Sequence, residues 1–463
     1  MSTSAPDKTP GAPSPSSARA AAWRSVVELA RARGARRFAA WVFGALVLAL
    51  MTGPSGTNGA PTSGFTGSLF HPRVLVFLAI GVGLWALDAV RFQYGASIRT
   101  LSERATAAPG RMLQSRRVRF AVYAAALAVA IAYPPTLSGF WQEVLVDQIG
   151  VFVLLAVGLN VVVGYAGLLD LGYIAFYAIG AYSGAYWTGA LPVHPPFHLN
   201  PFLAIPFAIA AAMLAGVILG APTLRLRGDY LAIVTLGFGE IIQIVATNLQ
   251  GVTGGAQGVT GIPHFSVHIG GVHYAWTLSN LPYYYLLLGF VVVVLFAFRA
   301  LENSRVGRAF AAVREDEVAA EAVGINVLKY KVMAFAIGAS TSGFAGLLEV
   351  SKIGFVSSQD FTVQLSILVL VLVIFGGMGS LPGAVAGAAF LQWVPQILRE
   401  HPLFGYQEQD LYIYLGALLV VMMIFRPEGI LPSRRRKREI VLAERGIGTA
   451  DAMSGSSDPA VRG

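Results

Sequence analysis

The sequence predicts an all-α polytopic membrane protein of about 10–12 transmembrane helices, some of them broken or re-entrant. Three observations predict it. Hydrophobic residues make up 55% of the 463 positions and charged residues 12%, too few to coat a soluble globule. The apolar residues fall in runs near the length that a bilayer requires. Lys and Arg collect in alternate segments between those runs. The net charge of +9 therefore reads as a topology signal rather than a nucleic-acid footprint. No cysteine occurs, which excludes disulfides, thiolate metal sites, iron–sulfur clusters and a Cys nucleophile.

Residues 1–37 read as a disordered, basic cytoplasmic tail. Arg31, Arg33, Arg36 and Arg37 flank the first apolar run and come too late for a secretory signal. Twelve runs follow: 38–51, 74–90, 120–133, 144–165, 171–191, 202–222, 230–248, 282–298, 332–350, 364–378, 382–398 and 410–426. The first and third are short for a span. The tenth and eleventh are interrupted by Gly376, Gly377, Gly379, Pro382 and Gly383, so one of them is a candidate re-entrant segment. With the N-terminus inside, the inner segments hold 30 of the 33 Lys and Arg residues, and the outer ones only Arg73, Lys352 and Arg399. Both termini are expected in the cytoplasm. The organisation predicted is a tail (1–37), a two-span extension with a basic loop (38–119), a core domain (120–430) carrying a cytoplasmic loop (299–331), and a second basic, disordered tail (431–463).

The inner loop 299–331 is too long for a turn. Glu315, Asp316 and Glu317 suit the positive end of a helix. Val318, Ala319, Ala322 and Val323 share one helical face, and Gly324 suits the position just past the end. This predicts a short amphipathic helix over 315–323 outside the bilayer, either a dock for another protein or a connector on the membrane surface.

The segment from Gly158 to Gly184 carries a polar Asn160 inside a span. Gly164, Gly167 and Gly172 mark a broken helix, and Tyr173, Phe176 and Tyr177 follow. Gly180 and Gly184 form a GxxxG pair that lets a neighbouring helix approach closely. Irregular backbone at membrane depth is tolerated when buried in protein or lining a water-filled path. Helix packing accounts for most such glycines, but their density and the isolated Asn160 favour a pore lining for part of the segment. Gly376 and Gly379 repeat the theme in the second half, and paired glycine-interrupted spans point to a transport site.

Arg225, Arg227 and Asp229 lie in a short inner loop and can tie it down electrostatically. Thr235 and Glu240 lie in the span that follows. A mid-span carboxylate is either functional or half of a structural pair. Residues 249–281 form an outer segment without Lys or Arg, a lid or docking surface or a plain solvated loop. All seven histidines (His71, His194, His198, His264, His268, His273 and His401) fall in outer segments. His264 and His268 would suit a metal site on a helix, but zinc needs three or four ligands, and ordinary loop histidines among Gly and Pro are the favoured reading. The chain has no phosphate-binding P-loop, GxSxG elbow or HExxH pair, which leaves an enzyme reading without residues.

Gly158–Gly184, Arg225–Glu240, the run Thr253–Gly258 and the 305–331 loop together resemble the bacterial branched-chain amino-acid ABC-transporter permease of LivM type, over about 120–430. Residues 38–90 resemble the N-terminal extension of its longer members. Ala319–Gly324 resembles the family's EAA-type loop, offset from a strict Glu-Ala-Ala start. The resemblance implies an ABC importer permease architecture in the bacterial inner membrane. The solute would be leucine, isoleucine or valine, with urea, amides or other amino acids as the alternative. It implies a LivH-type second permease sharing the path, two cytoplasmic ATPases holding all the ATP and Mg, a periplasmic binding protein and surrounding lipid. No cofactor or metal in this chain and no nucleic acid are expected. The path residues expected are Asn160, Gly164, Gly167, Tyr173, Phe176, Tyr177, Thr235, Glu240, Gly376 and Gly379. The residues expected to couple to the ATPases are Arg314, Glu315, Glu317, Ala319, Ala320, Glu321, Gly324 and Ile325. A gradient-driven twelve-span carrier is the competing class. The few carboxylates near or within the spans (Asp88, Asp147, Asp170, Glu240, Glu349) make a thin proton relay for it.

Overall fold

An apolar run in a bilayer must satisfy its own backbone, and this chain does so with helices. The computed structural model describes residues 41–46, 78, 81–83, 85, 116–223, 229–269, 272–276, 279–400, 411–426 and 428–431. Two compact units are present, Met1–Val122 with Pro402–Ile413 and Tyr123–His401 with Tyr414–Gly463. In the first unit, residues 41–46 are helical. The rest of the 38–51 run, most of 74–90, the tails 1–37 and 432–463, Arg225 and Arg227 lie outside the described residues.

The helices in chain order are α1 (Arg116–Ala132), α2 (Gly139–Tyr165), α3 (Tyr173–Trp187), α4 (Pro201–Thr223), α5 (Asp229–Asn248), α6 (Asn280–Asn303), α7 (Arg305–Glu315), α8 (Glu317–Ala322), α9 (Val327–Ile353), α10 (Val363–Gly376), α11 (Leu381–Glu400) and α12 (Leu411–Phe425). Among the described residues, six segments are long and apolar enough to cross a membrane: Gly139–Tyr165, Pro201–Ala221, Tyr230–Asn248, Asn280–Asn303, Val327–Ile353 and Ser358–Gly376. The protein is a multi-pass membrane protein. The runs at 120–133, 171–191 and 410–426 give shorter helices, and α11 carries Pro395 inside it. The 364–398 region is a helical hairpin, with α10 packed on α11 across a turn at Gly377–Ser380.

The centre of the second unit is α9, packed most extensively on α4 and α3. Its buried residues are mostly small (Gly338, Ala339, Ser342, Gly343, Ala345 and Gly346 among them). The GxxxG pair on α3 meets this row. A Cβ at Gly180 would overlap the Gly343 main chain, and one at Gly184 would meet the Leu347 side chain. Ala208 and Ala212 of α4 close on Gly343 from the other side. Large side chains such as Leu214, Ile233, Ile244 and Phe296 point outward from α4, α5 and α6, as on lipid-facing helices.

Two stretches of α2, Val144–Gly150 and Asn160–Tyr165, widen into π-helical turns. Such turns mark places where a helix is adapted to its neighbours. The expected break follows: residues 166–172 are non-helical before α3 begins.

The outer segment is anchored rather than loose. Strand β1 (Val259–Thr260) pairs antiparallel with β4 (Phe355–Val356), and β2 (Ser266–Ile269) forms a hairpin with β3 (Val272–Ala275). Thr247 donates to Ser358 Oγ, and Ser358 and Ser357 donate to the carbonyls of Gly255 and Ala256. Phe265 is fully buried beside Phe202, Tyr283 and Phe290.

Candidate functional site

The glycine-rich breaks of the two halves meet. Asn160 is fully buried, and its Oδ1 accepts from the Gly379 amide at 2.8 Å. Gly164 lies where a Cβ would strike both Asn160 Oδ1 and the Gly379 nitrogen, so only glycine fits. Arg314, at the end of α7, reaches back to donate to the Gly164 carbonyl at 2.5 Å. Its aliphatic stem lies against Gly167, which adopts φ +73°. Gly376 packs against the backbone of Gly383 at the start of α11, and the Leu431 amide donates to the Gly376 carbonyl. One node thus joins Asn160, Gly164, Gly167 and Gly379 to Arg314, a residue of the helical loop between α6 and α9. The sequence suggested these groups separately, but nothing in it showed that they converge.

The other residues expected in the path have different surroundings. Tyr173 is buried and donates to the Gly338 carbonyl at 3.0 Å. Phe176 packs against Tyr173 and Phe238, and Tyr177 stands edge-on to Phe361. These three rings seat α3 on its neighbours. Thr235 is fully buried; its hydroxyl accepts from the Leu171 amide at 3.0 Å and donates to Ala232 O. Asp170, in the connection between α2 and α3, accepts from the Gly172 amide at 2.9 Å. Burial pushes its carboxyl up to about 7, against the lowering pull of that amide and of Thr235. Glu240 is half-buried on α5 and makes no hydrogen bond or ion pair among the described residues.

The inner loop folds as two helices rather than the single one expected over 315–323. Ser304 caps α7 by accepting from the Gly307 amide at 3.2 Å. Asp316 is extended and belongs to neither helix. Its carboxylate caps α8, accepting from Val318 N and Ala319 N at 2.8 and 3.0 Å. Glu315 therefore ends α7 instead of opening the next helix. Gly324 follows α8 at φ +84°, the left-handed stop that its position predicted. Phe310, Val313 and Ala320 are buried, whereas Val318, Ala319, Ala322 and Val323 are exposed together, at 65% for Val318 and 77% for Val323. Beside this face, Glu321, Gly324, Ile325 and Asn326 line a shallow groove of about 310 Å³ with Val327 and Leu328. Glu317 turns the other way and pairs with Lys331 of α9 at 2.5 Å.

At the opposite end of α9, Lys352 pairs with Asp147 in the first π-helical turn of α2, also at 2.5 Å. His264 Nδ1 lies 2.7 Å from the Ser351 carbonyl, which fixes it as the donor there. The helical spacing expected for His264 and His268 is not realised, since the first lies outside any helix and the second in β2. Among the described residues no group of three His, Cys, Asp or Glu could hold a metal ion. Sequence reasoning missed both lysine pairs. The one available signal was Lys352 itself, a cation on the side that the positive-inside pattern otherwise leaves nearly empty.

Residues 144–425 match the family model described as branched-chain amino acid transport system / permease component. Over 331 residues the chain is 40% identical to the high-affinity branched-chain amino acid transport system permease protein LivM of Escherichia coli strain K12, covering 67% of this chain and 74% of that one. The Salmonella typhimurium protein of the same name is 39% identical over the same shares. A more distant similarity, 23% over 62% of this chain and 91% of the other, links it to the probable branched-chain amino acid transport permease protein LivM of Methanocaldococcus jannaschii. No solved structure matches the chain.

Proposed function

From the premise that the chain belongs to the branched-chain amino acid transport permease family, we propose that it is one permease subunit of an ATP-driven importer for leucine, isoleucine and valine. A second permease of LivH type completes the path, a periplasmic binding protein delivers solute, and two cytoplasmic ATPases supply the energy. The membrane is the bacterial inner membrane, with both termini in the cytoplasm, as the distribution of Lys and Arg favours.

The observation that carries this reading is the reach of the loop into the core. A face of Val318, Ala319, Ala322 and Val323 stands exposed on a polar loop, available to a partner protein. Arg314, in the adjoining helix, holds the backbone of Gly164 where the two glycine breaks meet. Force applied to the loop therefore arrives at Asn160, Gly164, Gly167, Gly376 and Gly379, which form the inner gate. Tyr173, Phe176, Tyr177 and Thr235 hold α3 and α5 in place around that gate. Glu240, on α5, presents to the path or to the second permease a carboxylate that has no hydrogen bond or ion pair among the described residues. Glu315, Glu321, Gly324 and Ile325 shape the loop surface that meets the ATPase, and the buried Ala320 seats that surface on the protein behind it.

Reconstitution tests the reading. Liposomes holding this chain, the second permease, both ATPases and the binding protein should take up labelled leucine, isoleucine or valine only with ATP. Uptake by this chain alone, abolished by an uncoupler while ATP remains, overturns it.

A further inference from the structure

A lysine buried to 3% exposure at the end of a helix must be neutralised by a neighbour, because an unpaired ammonium there is costly. Lys331 is such a residue, and the carboxylate that meets it belongs to the six-residue helix α8 outside the spans. We infer that the Glu317–Lys331 pair is the linkage by which displacement of the inner loop is passed to α9, with both residues acting as positioning residues for transport.

Three features carry this. Ala320 is the buried residue of α8, and the Glu317–Lys331 ion pair is a directional contact between α8 and the helix behind it. α9 is one unbroken helix of 27 residues with no proline inside it, so a displacement at its start is carried along its length. Its far end is tied by Lys352 to Asp147, roughly 32 Å away at 1.5 Å per residue, so the rod ends on a second ionic contact in α2. A push on α8 thus reaches the far side of the bundle through one rigid element. The exposed face of α8 receives the push, and Glu317, on the opposite side, passes it on.

The inference rests on the importer reading, and the test separates the two. The reconstituted complex is prepared with wild type, Glu317→Gln, Lys331→Met, the double neutral variant and the swap Glu317→Lys with Lys331→Glu. Solute uptake and ATP hydrolysis are measured on the same vesicles, and retention of the ATPases is checked by co-purification. Each single variant should keep its ATPases and hydrolyse ATP while uptake per ATP falls about tenfold. The swap should restore that ratio to within about threefold of wild type, a rescue that a purely structural role does not predict. Single variants with an unchanged uptake-to-hydrolysis ratio overturn the linkage. So does a swap that assembles and stays uncoupled. If the swap fails to assemble, the ratio in Glu317→Asp decides: a shortened carboxylate should lower it by an intermediate amount, and a wild-type ratio overturns the linkage. Wild-type complex without ATP-dependent uptake would overturn the importer reading instead.

Discussion

The two ends of α9 use the same residue for different purposes. Lys331 and Lys352 are both nearly buried, and each meets a carboxylate at 2.5 Å. The partner of Lys352 is part of a spanning helix, and the neighbouring Ser351 carbonyl is held by His264 from the anchored outer segment. That end fastens the bundle to itself. The partner of Lys331 sits on a short peripheral helix whose side chain is one-third exposed. That end fastens the bundle to something outside it. The difference teaches that a buried ion pair is read by what its far partner belongs to, not by its geometry.

The comparison breaks first at the outer end. Lys352→Met strands Asp147 among packed helices, and thermal unfolding in detergent should show a loss of about 3–5 kcal/mol. Lys331→Met leaves Glu317 able to hydrate, so the same measurement should show only about 1–2 kcal/mol. Equal losses at the two ends would erase the distinction. Asp316→Ala removes the two capping bonds of α8 and should cost about 1 kcal/mol, seen as faster amide exchange confined to residues 317–323. The smallest effect is a control on both ends. Asp170 is a buried carboxyl with no cation paired to it among the described residues, and its folded-state value is raised to about 7. Its folded form holds the proton more tightly than the unfolded chain, so stability should fall as pH rises between about 4 and 7 and level off above. Asp170→Asn keeps an acceptor for the Gly172 amide. At pH 6 it should match wild type within about 0.5 kcal/mol, and it should lose the pH slope of unfolding.

The spans, the loop and the glycine breaks were legible because composition and periodicity are local. Gly180 announced a close approach, and α9 supplied the partner. The lysine pairs were not legible, because Asp147 and Lys352 are 205 residues apart and no pattern joins them. Lys331 counted only as one more inner cation. Tyr173, Phe176 and Tyr177 were expected to line the path, with packing as the alternative, since an aromatic face is the same in either case until its neighbours are known. The start of α8 was misplaced because three successive acidic residues all suit a helix N-terminus, and only the extended backbone of Asp316 selects the cap. The convergence of Arg314 on Gly164 depended on a contact spanning 150 positions.

The contact of Gly180 with the Gly343 main chain has one more implication. Helices joined by interlocking side chains behave like meshed gears, and moving one demands that every tooth be repacked. Here two bare backbones touch as in a plain bearing, where a small glide at this contact has no side chain to repack. A single added methyl at either position would work as grit.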